Sequence, residues 1–306
     1  MNQMVTVFTP LYNRKELLLR LYESLKAQTC RSFEWLIVDD GSSDGSYELA
    51  KELEEREDRF PIRAFRMERN GGKHRAINFG TAQARGWLFF IVDSDDALTP
   101  DAIEKIFAWE ETIQREDSFA GIGFLRADPS GQPLGTSFPE KLCDCTTLER
   151  EANQITGDKA EVFYTQLLRR YPFPEFEGET FLSEAVVWDR IAHDGLKIRW
   201  INESIYLCDY QPDGLTANWH KNLANNPKGY ALFLKQKMDF LPCTGYTRFE
   251  TVYGYYYTVN LAGKRSMQYA CRQLGYPLWK AYLYTPIRKG KRICGRVKGL
   301  LCGKSR

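Results

Sequence analysis

Residues 86–100 read GWLFFIVDSDDALTP. An apolar and aromatic run, Trp87 to Val92, ends abruptly in Asp93, Ser94, Asp95 and Asp96. A run this short, bounded by glycine and by acids, reads as a buried strand of a mostly parallel sheet. Thr99 then reads as a helix N-cap and Pro100 as the first helical residue. The carboxylates therefore stand at the carboxyl end of a strand, just before a helix, where open α/β sheets bind ligands. In an extended segment Asp93 and Asp95 share a face and Ser94 points away. Two carboxylates that close repel unless a cation lies between them. Oxygen ligands suit Mg²⁺ or Mn²⁺, and Mg²⁺ is commonly held by one or two carboxylates plus substrate phosphates. A solvated acidic turn with helix-capping duty would carry the same residues, so the rest of the chain has to choose.

Outward from this stretch the pattern repeats. Val5–Phe8 reads as a strand closed by Thr9-Pro10, and Glu16–Ala27 as a helix with Leu17, Leu18, Leu21 and Leu25 at helical spacing. Phe33–Val38 is a second strand, followed by Asp39-Asp40-Gly41-Ser42-Ser43-Asp44 and a helix to about Glu57. Ile62–Phe65 is a third, and Asn70-Gly71-Gly72 leads into a helix over about Lys73–Ala84. Strand–helix alternation of this kind marks an α/β, Rossmann-like, mostly parallel sheet flanked by helices. Further on, the spacing predicts a helix over Asp101–Arg115, a strand over Phe119–Arg126, and helices over Tyr164–Arg170 and Glu179–Ala192. Strands follow at Lys197–Ile201 and Ser204–Tyr210, residues 132–160 read as irregular, and beyond Asn218 the pattern is helical.

Four segments then stand out in order: Thr9-Pro10-Leu11-Tyr12-Asn13-Arg14, Phe33 to Asp44, Asn70-Gly71-Gly72-Lys73-His74-Arg75-Ala76-Ile77-Asn78-Phe79-Gly80, and Asp93-Ser94-Asp95-Asp96. As a set, across the first third of the chain, they resemble the family 2 glycosyltransferases. Those are inverting enzymes of the GT-A fold, and the likeness is to the type that builds bacterial glycans and polysaccharides. The resemblance implies transfer of a sugar from a nucleoside-diphosphate donor to a hydroxyl of a glycan or lipid-linked glycan acceptor. It makes Asp93 and Asp95 the DXD motif, with Asp95 the direct ligand of Mg²⁺ or Mn²⁺ and Asp93 on the metal or the ribose. Donor-binding residues would be Thr9, Pro10, Tyr12, Arg14, Asp39, Gly71, Lys73, Asn78, Asp93, Ser94 and Asp95. Asp39 could accept the hydrogen of a uracil ring nitrogen, which favours a UDP-sugar, although an Asx-turn would use the same residue. Lys73 and Arg75 lie near a helix N-terminus, which attracts phosphate; an exposed basic face is the other reading. Asn78 would orient loops by hydrogen bonds, and His74 reads as structural.

Transfer to a hydroxyl needs a general base. The family carries an acidic pair at a helix start in its acceptor half, and here that place reads Ser183-Glu184. Glu184 is thus the expected base and Glu179 its substitute. The missing first acid keeps open a catalytically silent sugar-nucleotide-binding or membrane-scaffold protein. A nucleotidyltransferase would need a Gly-rich loop after the first strand, and Thr9–Arg14 holds no glycine. Tyr210-Gln211-Pro212-Asp213-Gly214-Leu215-Thr216 resembles a further family stretch, or is a simple turn.

The 306 residues carry a net charge of +2. After Glu250 there is no acid, while residues 251–306 hold twelve Lys or Arg. An acidic body with a basic end suggests an anionic partner for that end. From 280 onward aromatic and aliphatic residues are mixed with bases, as in an amphipathic segment on an anionic membrane surface. No motif supports nucleic acid. No membrane-spanning run or N-terminal signal is read, and the eight scattered cysteines fit reduced thiols. The expectation is a cytoplasmic protein, peripheral at the inner face of the cell membrane. The GT-A domain is expected over 1–217, its donor half about 1–115 and its acceptor half about 116–217. A helical basic extension over 218–306 would follow.

Overall fold

The computed structural model describes residues 4–113, 118–138, 140–209, 214 and 218–288. The chain divides into two compact units, one up to Ala217 and one from Asn218. The first opens with three strand–helix steps and a fourth strand: β1 Val5–Leu11, α1 Lys15–Lys26, β2 Phe33–Asp39, α2 Ser46–Arg56, β3 Ile62–Arg66, α3 Lys73–Gln83 and β4 Leu88–Ile91. The strands pair in parallel in the order β3-β2-β1-β4. All seven residues of β2 are buried, as expected of a strand covered on both faces. Then come β5 Ala97–Leu98, α4 Ala102–Glu110, β6 Phe119–Ala127, β7 Leu142–Cys145, β8 Lys159–Tyr164, α5 Thr165–Arg170, α6 Ala185–His193 and β9 Lys197–Leu207. The sheet continues β4-β8-β6-β9-β5, with β7 also on β9. Here β6 and β9 are parallel, and the β4–β8, β8–β6, β9–β5 and β7–β9 pairings are antiparallel.

Several boundaries differ from expectation for identifiable reasons. Pro10 does not end β1, because β4 pairs only as far as Phe8 and a missing N–H beyond that point breaks no β4 ladder bond. α4 starts at Ala102, not Pro100. The Thr99-Ala102 turn is closed by Ala102 N–H on the Thr99 carbonyl, and the Thr99 hydroxyl donates to Asp101. β8 lies within a stretch that includes residues read as irregular. Its Ala160 and Val162 enter the main core, while Lys159 and Glu161 alternate with them and disguise a strand. The two strands expected over 197–210 are one, β9, which absorbs its polar Asn202-Glu203 through register shifts against β6. The helix expected from Glu179 begins only after Glu184, because residues 179–183 run non-helically across the start of α3.

The second unit holds α7 Trp219–Asn225, α8 Pro227–Phe240, α9 Gly245–Val259, α10 Met267–Gln273 and a helix over 278–288. Its core is built on Phe249, Val252, Tyr255, Val259 and Ala270. No helix of the described residues is long and apolar enough to cross a membrane.

Candidate active site

The loops after β1, β2, β3 and β4 meet at the carboxyl edge of the parallel strands. The first two are sewn together. Asn13 adopts a left-handed φ of 49°, and its side-chain oxygen accepts from Ser43 N–H at 2.9 Å. Asn13 N–H donates to Ser42 Oγ, Arg14 N–H to Ser46 Oγ and Lys15 N–H to Asp44. Behind this clamp Asp39 is fully buried. One of its oxygens, Oδ2, accepts from Ser42 N–H at 3.0 Å and faces Arg66 at 3.5 Å. The other, Oδ1, is buried with no hydrogen-bond partner. Such an orphaned acceptor is costly unless a ligand completes it.

Asp40 ties the loop before α3 to β2, accepting from Gly71 and Gly72 N–H at 2.8 and 2.7 Å. Gly72 has φ +93°, and a Cβ there would stand 1.9 Å from the Thr180 carbonyl oxygen. That close approach seats the 179–184 segment on the start of α3. It brings Glu184, the N-cap of α6, to Lys73. Lys73 Nζ lies 2.7 Å from Asp93 Oδ1 and 2.9 Å from Glu184 Oε1. Burial opposes the Lys73 charge, but the two carboxylates outweigh it and hold the ammonium well above its ordinary range. Gly72→Ala should destabilise the fold by about 3 kcal/mol through backbone strain and the carbonyl clash. It should also slow turnover, since Thr180 can yield only by shifting the segment that carries Glu184. Urea unfolding and initial rates check both.

The Asp93–Asp96 stretch is a turn and not the extended segment expected, with Asp96 N–H on the Asp93 carbonyl at 3.2 Å. Asp93 and Asp95 are still its half-exposed members, while Ser94 and Asp96 are buried. Burial would raise the Asp93 pKa, but Lys73 and Arg126 hold it below the usual carboxylate range. Burial, then the Asp93 charge, pushes Asp95 up. Burial and Asp93 push Asp96 to about 6, and Asp96 accepts from the Tyr206 hydroxyl at 2.7 Å. Asp95, ionised at a disadvantage beside a second carboxylate, fits a divalent cation as its missing partner. Among the described residues no group of three or more His, Cys, Asp or Glu gathers as a closed metal cage. A cation held by Asp95 would complete its coordination with water or substrate oxygens.

Thr9 is fully buried and its hydroxyl accepts from the Trp35 indole at 2.9 Å. Pro10 and Arg14 are half-buried and Tyr12 is exposed. Asn78 clasps Phe173, its amide oxygen accepting from that N–H and its Nδ2 donating to that carbonyl. Arg75 pairs with Glu175 at 3.2 Å. Buried His74 is pushed by its burial toward the neutral form. Apart from Gly214, the 210–216 stretch lies outside the described residues. Sequence reading missed Arg126 and Tyr206. Arg126 approaches Asp93 Oδ2 at 4.0 Å and lies over the Tyr206 ring at 4.3 Å. The Tyr206 hydroxyl also accepts from Asp93 N–H at 2.9 Å. Both come from β6 and β9, and no local motif marks them.

Residues 6–162 match the model of glycosyl transferase family 2. The chain belongs to that family. This glycosyltransferase is 32% identical over 219 residues to Glycosyltransferase GlyG of Streptococcus pneumoniae, covering 68% of this chain and 71% of that one. It is 37% identical over 172 residues to an undecaprenyl-phosphate 4-deoxy-4-formamido-L-arabinose transferase of Pseudomonas fluorescens. There it covers 55% of this chain and 47% of the relative, so it spans about half of that protein. Among solved structures, S. aureus TarS 1-349 in complex with UDP-GlcNAc superposes with a TM-score of 0.61 at 16% identity, covering 94% of this chain and 92% of that one. At that identity the likeness carries the fold alone, which is GT-A.

Proposed function

We propose that this transferase moves a sugar, with inversion, from a UDP-sugar to a hydroxyl of a glycan or lipid-linked glycan. The observation that carries this reading is Lys73 Nζ bridging Asp93 and Glu184. It joins the DXD strand end and the acceptor-side helix start into one charged centre. Asp39 Oδ1, buried and unpaired, would accept the uracil N3–H. Glu184 takes the proton of the acceptor hydroxyl as its oxygen attacks the anomeric carbon from the face opposite the leaving diphosphate. Lys73, held protonated, lies where it can balance charge beside both carboxylates as that proton moves. Asp95, with Asp93, would hold Mg²⁺ or Mn²⁺, whose charge offsets that building on the diphosphate. The Pseudomonas relative is named for undecaprenyl phosphate, a lipid phosphate and not a glycan hydroxyl, so it supports only the lipid character of the acceptor.

The test is nucleotide release from UDP-, GDP- and dTDP-sugars, together with UDP calorimetry on Asp39→Asn. In that variant the amide oxygen can still accept from Ser42 while its NH₂ faces the uracil. UDP affinity should fall about tenfold, the cost of one opposed buried hydrogen bond. Unchanged UDP affinity, or release from GDP-sugars alone, would sink the uridine reading.

A further inference from the structure

The helix over 278–288 has two faces with different fates. On one, Ala281 is fully buried, and the Tyr284 ring meets Tyr246 and Phe249 at 5.8 and 5.6 Å. Arg288 reaches Glu250 at 3.1 Å and lies 3.8 Å from the Tyr253 ring centroid. On the other face Trp279, Tyr282, Leu283 and Ile287 are 65%, 64%, 58% and 45% exposed. Single exposed apolar side chains are ordinary. Four large ones at i, i+3, i+4 and i+8 form a continuous stripe on one helix.

After Glu250 the charged residues are basic, and Glu250 itself is paired with Arg288. Lys264, Arg265 and Arg272 are exposed, and Lys280 sits 5.4 Å from the Trp279 ring centroid. The sequence then continues with Lys289, Lys291, Arg292, Arg296, Lys298, Lys304 and Arg306, and no acid follows Glu250. A self-paired stripe would bring two such base-rich segments together, with Glu250 already paired to Arg288. An anionic bilayer offers what the stripe and the bases each lack. Trp and Tyr favour the headgroup–acyl boundary, and bases favour anionic headgroups.

We propose that the Trp279–Ile287 face docks on an anionic lipid surface, its apolar row entering the headgroup boundary and Lys280, with the exposed bases of this unit, meeting the headgroups. This is independent of the proposed chemistry, because the readout is association and not turnover. The full chain is floated with phosphatidylcholine vesicles, and with vesicles also containing phosphatidylglycerol, at low and high salt. Wild type should float with the anionic vesicles, weakly with the neutral ones, and less at high salt as screening shortens the reach of the charges. The double variant Trp279→Ser/Leu283→Ser should bind anionic vesicles at least about tenfold more weakly. Its unfolding midpoint should be unchanged, since both side chains are exposed. Leu19→Ser, an exposed apolar position on α1, should behave as wild type. Undiminished flotation of the double variant, or equal binding to neutral vesicles, overturns the proposal. So does a wild-type dimer that the double variant dissolves while vesicle binding is absent, which would assign the stripe to a second copy. Vesicle binding with no transferase activity in any donor assay would leave this inference standing and remove only the proposed chemistry.

Discussion

Glu184→Gln is expected to lower kcat about a thousandfold while leaving donor affinity within a factor of about two. The amide is nearly isosteric and can still accept from Lys73, which keeps its 2.7 Å pairing with Asp93. The start of α6 should therefore hold. What the amide cannot do is take the acceptor proton. Burst-free initial rates, with donor binding by calorimetry on the same preparation, separate the two quantities. Equal losses in donor affinity and kcat would mean that Glu184 holds the site together and does not act on the hydroxyl. Turnover near wild type would remove Glu184 from the base role and shift attention to Glu179. That residue is buried and lies outside the helix, so Glu179→Gln serves as the comparison.

Asp95→Ala should cost turnover about a thousandfold or more, the scale of several kcal/mol that a bound divalent cation contributes. It should cost little stability. Burial and the neighbouring Asp93 charge already disfavour the ionised Asp95 carboxylate, so removing it relieves repulsion. The variant should unfold at or slightly above the wild-type urea midpoint. Wild-type turnover should fall on adding EDTA and return with Mn²⁺, while the variant should respond to neither. A second readout needs no turnover: Mn²⁺ should tighten UDP binding to the wild type and not to the variant. Unchanged turnover, or EDTA-insensitive wild-type activity, would argue against a metal at this carboxylate. The contrast with Glu184→Gln is useful, since one variant loses the metal linkage to UDP and the other keeps it.

The first four strands and their loops were legible because parallel strands buried on both faces appear as continuous apolar runs that stop at polar edge residues. Phe33–Asp39 and Leu88–Ile91 behave this way. Asp39, Lys73, Asp93, Asp95 and Glu184 could be nominated from such edges and from the family resemblance. Burial patterns of the later strands were harder. Lys159 is almost wholly buried, and Glu161 lies beside Arg150 at 3.7 Å. A charged strand residue reads as surface until its partner is known, here the Thr156 carbonyl that accepts from Lys159 and the Arg150 guanidinium beside Glu161. In the same way Asn202 looked like a break, yet its side chain donates to the Phe138 carbonyl and the strand runs on.

The alternation of β1 to β4 with helices, the polar loops at the carboxyl ends of those strands and the basic, acid-free stretch after Glu250 can all be read from the sequence. Each depends on residues adjacent in the sequence or one strand apart. Packing brings Glu184 to Lys73, sets Arg126 and Tyr206 against Asp93, and leaves one face of the 278–288 helix exposed among the described residues. Those outcomes depend on how distant segments pack, such as the Thr180 carbonyl over a glycine without a Cβ. No local periodicity records them.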